Sequence, residues 1–322
     1  MQCFNPISIT LSDETRAKRM AAEYMPLEWR FATKVNVPCG KCAACLSRRR
    51  SQWTFRLMEE LKNSESCYFL TLTYDDEHLP WEFVNINGEC VPVAMVCKRD
   101  VQLFLKRLRK SIEPFKIRYF MVSEYGPKTF RPHYHMILFN FPPLLKNKLD
   151  EYLTNAWDLG FIRVDPISDA RINYVTSYCL DSSTLPPYLV KNFMLCSRRP
   201  AIGSSYIDNV NIVRHHIDQL NDMCVVSDHG RPSKIKMPRY YCDKIFSDHE
   251  RNEINNKNSE YHDTQRAKFN SRQRRWLIKH GYEPTESNMK TAYDGSPLDL
   301  EMQKRDEFTR KVERKCKMKK NG

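Results

Sequence analysis

Glycine is scarce in this chain, nine residues among 322, which leaves little room for a Gly-rich β-repeat protein. No stretch approaches the roughly 18 consecutive apolar residues that a membrane-spanning helix needs. The first twenty residues, MQCFNPISITLSDETRAKRM, lack the charged-then-apolar order of a secretory signal. The expectation is a soluble intracellular protein with no membrane partner. In a reducing interior, its twelve cysteines are expected as thiols or metal ligands, not disulfides. Neither an internal repeat nor a GxxxxGK[ST] phosphate loop is found, so no built-in ATP-driven motor and no nucleotide cofactor are expected. Acidic residues are also in deficit: 39 against 52 Lys and Arg give a formal net charge of +13. Such an excess favours a polyanionic partner, of which nucleic acid is the commonest, although basic charge can also serve solubility alone.

Along the chain, residues 1–38 mix Pro, Met and charged residues without a clear period and read as an irregular arm. The segment QWTFRLMEELKNS (52–64) has helical apolar spacing at Trp53, Leu57, Met58 and Leu61. CYFLTLTY (67–74) is β-branched and aromatic and reads as a buried strand. A loop is expected through Asn87-Gly88. An amphipathic helix follows, with Val101, Phe104, Leu105, Leu108 and Ile112 on one face. Residues 117–125 and 133–141 read as two strands of an antiparallel hairpin joined by GPKTFRP. Leu145, Leu149, Leu153 and Trp157 recur every fourth residue, with Gly160 as a stop signal. A short strand, GFIRVDPI, leads to a helix opened by Ser168-Asp169 and containing INYVTSYCL. The order implies an α+β domain with a mainly antiparallel central sheet and flanking helices. Residues 186–245 are expected to pack onto it. From residue 246 the composition turns charged and apolar-poor, a basic helical or partly disordered extension. The expected divisions are 1–50, 51–245 and 246–322.

His133-Tyr134-His135 is the first candidate for chemistry. Residues i and i+2 of a strand share a face, so both imidazoles can address one point. A carboxylate would complete a site for a divalent ion with open positions. Glu124, at the end of the preceding strand, is brought back past His133 by the hairpin, while Asp75 and Asp76 are rivals. Two histidines on a polar sheet face would look the same. Tyr174 and Tyr178 lie four apart and share a helix face, and a phenol is a usable nucleophile toward a phosphate polarised by a metal. In a chain with 16 tyrosines they could equally be core.

Cys39, Cys42 and Cys45, with Cys3 as a fourth, are candidates for a structural Zn²⁺ site or for plain thiols. Cys67, Cys179 and Cys196 sit in apolar contexts and are expected in the core. The basic run Arg48, Arg49 and Arg50, with residues 106–110, 198–199 and 272–275, suits phosphate contacts that position DNA without reading sequence. Trp276, Tyr68 and Phe130 can stack on unpaired bases or serve the core.

Together, a strand LTLTY, a strand bearing His-x-His and then a helix bearing Tyr-x3-Tyr resemble the HUH endonuclease superfamily. PCGKCAACLSRRRSQWTFRLMEE, FLTLTYDDEHLP, SEYGPKTFRPHYHMILF, INYVTSYCL, SRRPAIGSSYI and PRYYCDKIF are similar to the replication initiation proteins of small single-stranded DNA phages (Microviridae, gokushovirus type). That resemblance covers roughly residues 38–245. It implies Mg²⁺ or Mn²⁺ held by His133 and His135 with Glu124 as third ligand. It further implies attack by Tyr174 or Tyr178 on origin DNA, a 5′-phosphotyrosine link, and work beside a host helicase and polymerase in the bacterial cytoplasm. The family often carries lysine between or just after the paired tyrosines; Thr176-Ser177 and Leu180-Asp181 stand there, and Arg131 is a candidate substitute. A tyrosine transposase of the same superfamily, or a zinc-stapled protein that packages DNA, are the rival readings.

Overall fold

The computed structural model describes residues 3–21, 30–177, 185–218, 220–228 and 231–317. The N-terminal segment, expected to be irregular, holds regular structure. Strand β1 (Ile7–Thr10) pairs antiparallel with β2 (Lys34–Val37), Ile7 opposite Val37. Between them α1 (Asp13–Met20) starts at Ser12, whose hydroxyl accepts from the Thr15 N–H. Asp13 and Glu14 in its first turn, and Lys18 and Arg19 in its last, complement the helix dipole. None of α1 is buried, so no apolar period announces it.

Next come α2 (Ala43–Lys62), β3 (Cys67–Tyr74), β4 (Trp81–Ile86) and β5 (Glu89–Ala94). The expected loop through Asn87-Gly88 is instead the two-residue turn of a β4–β5 hairpin. Asn87 and Gly88 have φ of 56° and 94°, as a primed turn requires. Helix α3 (Lys98–Ser111) precedes β6 (Arg118–Tyr125) and β7 (Pro132–Phe139). They are followed by α4 (Leu149–Ala156), β8 (Gly160–Pro166), α5 (Asp169–Ser177) and β9 (Met194–Cys196).

Five of these strands form one antiparallel sheet in the order β8-β3-β7-β6-β9. Both of its faces are covered, which is why its central strands read as near-continuous apolar runs. On one face Leu70, Leu72, Tyr134, Met136 and Leu138 pack against Phe104 and Leu108 of α3 and Leu149 and Leu153 of α4. On the other, Phe69, Phe120, Val122, Ile137 and Phe139 meet Leu57 of α2 and Ile172 and Val175 of α5. Cys67 and Cys196 pack against this second layer; Cys179 lies outside the described residues.

Two contacts fix the geometry of this sheet. The Arg118 guanidinium forks onto the Glu60 carboxylate and donates to the Pro200 and Ala201 carbonyls, both at 2.9 Å. Glu60, almost fully buried, also accepts from the Gly203 N–H at 2.7 Å. Removing one partner of such a buried pair leaves an uncompensated charge, at a cost of about 3–5 kcal/mol. Arg118→Ala should therefore lower the free energy of urea unfolding by about that amount, while exposed Arg239→Ala leaves it within about 0.5 kcal/mol.

The second contact is Gly160, expected as a helix stop. The helix ends earlier, at Ala156, and Gly160 opens β8 opposite Tyr74. A Cβ there would meet the Asp75 amide nitrogen and the Thr73 carbonyl oxygen, each at 2.4 Å. Its φ of 149° adds strain for any other residue. Gly160→Ala should cost roughly 2–4 kcal/mol in the same unfolding measurement.

The remaining elements are α6 (Asn209–Ile217), β10 (Met223–Asp228), β11 (Arg231–Lys236), α7 (Arg239–Ile245), α8 (Asp248–Lys279), α9 (Glu286–Met289) and α10 (Pro297–Lys317). The expected helical character of the C-terminal region holds: α8 runs 32 residues from a capping box of Ser247 and Glu250. Two compact units result. Arg48–Asp208, with Cys224–Ile235 and the last residues, contains the five-stranded sheet. Met1–Ser47, Asn209–Met223 and Lys236–Lys315 form the other, so the expected arm and extension share a unit instead of standing apart. Within it Phe4 meets Phe308 edge-on at 6.1 Å, with the Arg305 guanidinium 5.7 Å from the Phe4 ring.

Candidate active site

The register of β7 against its neighbours selects the side chains that meet. Tyr125 pairs with Pro132 across the hairpin, which sets Glu124 opposite His133 and Val122 opposite His135. On the other side, β3 puts Thr73 opposite His133 and Thr71 opposite His135. Directly opposed residues share a face, so the two imidazoles, the carboxylate and both threonines project together. One Glu124 carboxylate oxygen lies 3.0 Å from His133 Nε2 and 2.9 Å from His135 Nε2. Glu124 is thus the carboxylate that the hairpin delivers. Ligand atoms of all three lie within 4.8 Å of one another.

Their outer contacts orient the rings. His133 Nδ1 lies 3.2 Å from the Arg131 carbonyl oxygen, which only accepts, so Nδ1 carries the hydrogen. In the neutral ring, Nε2 is then a lone pair pointing at a carboxylate. That contact is favourable only with positive charge between them, a second proton or a metal ion. His135 Nδ1 is 3.2 Å from the Thr71 hydroxyl, and Phe69 stacks on the ring at 5.7 Å. Nδ1 anchored and Nε2 presented is the arrangement of histidine metal ligands. Two imidazoles and one carboxylate suit a divalent ion with positions left for other oxygens. His135 is buried while His133 and Glu124 are half-buried, so the cluster is reached from one side.

Helix α5 brings a phenol to this cluster. The Ser168 hydroxyl accepts from the Arg171 N–H at the helix start. With Ile172 and Val175 in the core, Tyr174 is left half-buried at the edge. Its ring lies 5.2 Å from His135 at 80°, and 6.2 Å from Phe69. Helix α2 braces α5: the Thr54 and Thr176 hydroxyls bond at 2.9 Å in full burial, and Arg50 donates to the Asn173 side chain at 3.4 Å. Thr176 and Ser177, where the resemblance favours lysine, are both buried and leave no room for a charge directed at a phosphate. Tyr178, Leu180 and Asp181 lie outside the described residues.

The other tyrosines of this sheet are unlike Tyr174. Tyr74 and Tyr134 are fully buried and share a 2.9 Å hydroxyl contact. Burial pushes both phenols well above their usual range, and for Tyr74 the neighbouring Tyr134 adds to it. They hold the core together.

Arg131 takes a course the sequence did not foresee. It donates to Asp76 at 2.5 Å and to the Tyr74 carbonyl at 2.6 Å, tying the β6–β7 connection to the end of β3. Asp76 is thereby paired, and Asp75 accepts from the His78 amide and ring; neither joins the histidines. Arg49 is exposed and Arg48 half-buried. Trp276 stacks on His280 at 4.0 Å, so one of its faces is already taken. Sequence reasoning missed Thr71 and Asn173. The alternation in LTLT, in phase with His-x-His on the paired strand, was the signal available for Thr71.

A second cluster joins Cys3, Cys39, Cys42 and Cys45, also within 4.8 Å of one another. Burial opposes ionisation of Cys42, yet N–H donors from Cys45 and Phe4 outweigh it and bring the thiol down to about 6. Burial pushes Cys45 up to about 12.

A sheet-borne pair of imidazoles and a carboxylate facing a tyrosine on a neighbouring helix defines a metal-and-tyrosine site of the nuclease type. Residues 67–183 match the family of replication-associated proteins of the ORF2 type. The chain is 29% identical over 226 residues to replication-associated protein ORF2 of Spiroplasma virus 4, covering 64% of this chain and 66% of that one. Against replication-associated protein VP4 of Bdellovibrio phage phiMH2K it is 27% identical, covering 66% and 68%. The corresponding ORF4 protein of Chlamydia phage 1 is 29% identical over 160 residues, 44% of this chain and 37% of that one. The chain thus spans about two thirds or less of the length of most of these relatives, and the resemblance to phage replication proteins holds across it. The N-terminal nuclease domain of the minute virus of mice non-structural protein 1 shares 12% identity, covering 46% of this chain and 77% of that one. Its TM-score of 0.19 is too low to equate positions.

Proposed function

We propose that the chain initiates rolling-circle replication by cutting and rejoining single-stranded origin DNA through a tyrosine. One observation carries this reading: Glu124, His133 and His135 converge on a single point, and the Tyr174 ring packs against His135 beside it. A Mg²⁺ or Mn²⁺ ion bound by those three side chains would supply Lewis-acid polarisation of the scissile phosphate. The Tyr174 oxygen attacks the phosphorus, the bond to the 3′ oxygen breaks, and the phenol proton is given up as the leaving 3′ oxygen gains one. The products are a 5′-phosphotyrosine and a free 3′-OH that a host polymerase extends, with a host helicase separating the strands. Because the tyrosyl ester keeps the phosphodiester's energy, rejoining needs no ATP. Tyr178, four residues on, is proposed to cut the regenerated origin and release a circle. Arg48 to Arg50 on α2, the helix that braces α5, are proposed phosphate contacts. The reaction belongs in the cytoplasm of a bacterial host; among the described residues no helix is long and apolar enough to cross a membrane.

The test is direct. Labelled single strands covering the replicon that encodes the chain are incubated with the protein and Mn²⁺, then denatured. One sequence should yield a protein–DNA adduct stable to boiling and a fragment ending in 3′-OH. A protein that only packages DNA yields none.

A further inference from the structure

The cysteine cluster takes no part in that reaction and sits in the part of the chain least able to hold itself together. Every residue of β1 is exposed and α1 buries nothing, so β1, α1 and β2 contribute almost no apolar core. Such segments depend on a covalent or metal staple. Cys3 precedes β1, Cys39 and Cys42 lie in the turn after β2, and Cys45 stands in the first turn of α2.

The Cys3 sulfur lies 3.5 Å from that of Cys39 and 3.8 Å from that of Cys42. Four thiolates about 2.3 Å from a tetrahedral zinc ion have sulfurs roughly 3.8 Å apart. A disulfide would bring one pair to about 2.05 Å. All four sulfurs within 4.8 Å enclose one ion, not an iron–sulfur cluster. The backbone is arranged for negative sulfur: Cys39 N–H donates to Cys3 Sγ at 3.3 Å, Cys42 N–H to Cys39 Sγ at 3.3 Å, and Phe4 N–H to Cys42 Sγ at 3.4 Å. Gly40, at φ +75°, makes the reversal that turns the Cys42 amide back toward Cys39.

We propose that Cys3, Cys39, Cys42 and Cys45 bind one structural zinc ion that staples the N-terminal strand pair to the start of α2. Structural zinc sites are closed four-ligand sites, and this one offers four sulfurs.

The test uses the full chain carrying His135→Ala, so that zinc counted per molecule does not come from the nuclease cluster. Elemental analysis after exhaustive dialysis should give one zinc per chain, and Cys42→Ser should retain less than a fifth of it. Cys90→Ser, at an exposed cysteine outside the cluster, should retain it all. Because Cys42→Ser can fail to fold, the zinc of the Cys42-intact chain is also exchanged for Co²⁺. A thiolate-to-cobalt charge-transfer band with tetrahedral visible bands is expected. Zinc-free protein, iron in place of zinc, or cobalt bands without sulfur charge transfer would overturn the proposal.

Discussion

Tyr174→Phe should abolish the covalent adduct at first cleavage, lowering its rate by at least about a thousandfold, because loss of a nucleophile removes the step instead of slowing it. Phenylalanine keeps the ring that packs on His135 and Phe69, so the fold and the cation site should persist. DNA binding, measured by fluorescence anisotropy, should change less than about threefold, which separates lost chemistry from lost recognition. Tyr178→Phe should spare the first cut and stop the second transfer. An adduct of undiminished yield in Tyr174→Phe, with its mass on Tyr178, would assign the first attack to the other phenol.

The second large effect concerns the cation. His135→Ala removes one imidazole and leaves Glu124 facing only His133, so Mn²⁺ affinity should drop by at least about a hundredfold. Cleavage at limiting Mn²⁺ should fall with it. Glu124→Gln preserves the side-chain volume but not the charge, and should weaken binding in the same direction by about tenfold or more. Thr71→Val, which deprives His135 Nδ1 of its hydroxyl contact, should weaken it by roughly 10–100-fold, the range for contacts that orient a ligand. Titration of Mn²⁺ by its paramagnetic resonance signal reads all three without requiring activity. An unchanged dissociation constant in His135→Ala would remove that residue from the site.

The sheet is legible because β3, β6 and β7 are dense in β-branched, aromatic and aliphatic residues that two covered faces demand. The triad is legible for a related reason. The short hairpin connection fixes the register, and the register puts Glu124 opposite His133. Elements that bury little leave no period to read: α1, β1 and β2 are invisible in the sequence, and the hairpin turn at Asn87-Gly88 looks like any loop. Arg131 misleads by nearness in sequence. It stands just before β7 and turns to Asp76 and the end of β3, leaving only its carbonyl to His133. Gly160 reads as punctuation for a helix, whereas its need for bare backbone comes from β3 passing 2.4 Å from where a Cβ would stand. Such close approaches are tertiary facts, and no local pattern encodes them.

Anomalous diffraction from crystals soaked in Mn²⁺ tests the central claim most directly. A single strong peak within about 2.0–2.3 Å of His133 Nε2, His135 Nε2 and a Glu124 carboxylate oxygen is the expected result. A peak on Asp75 or Asp76 with both imidazoles empty would contradict it.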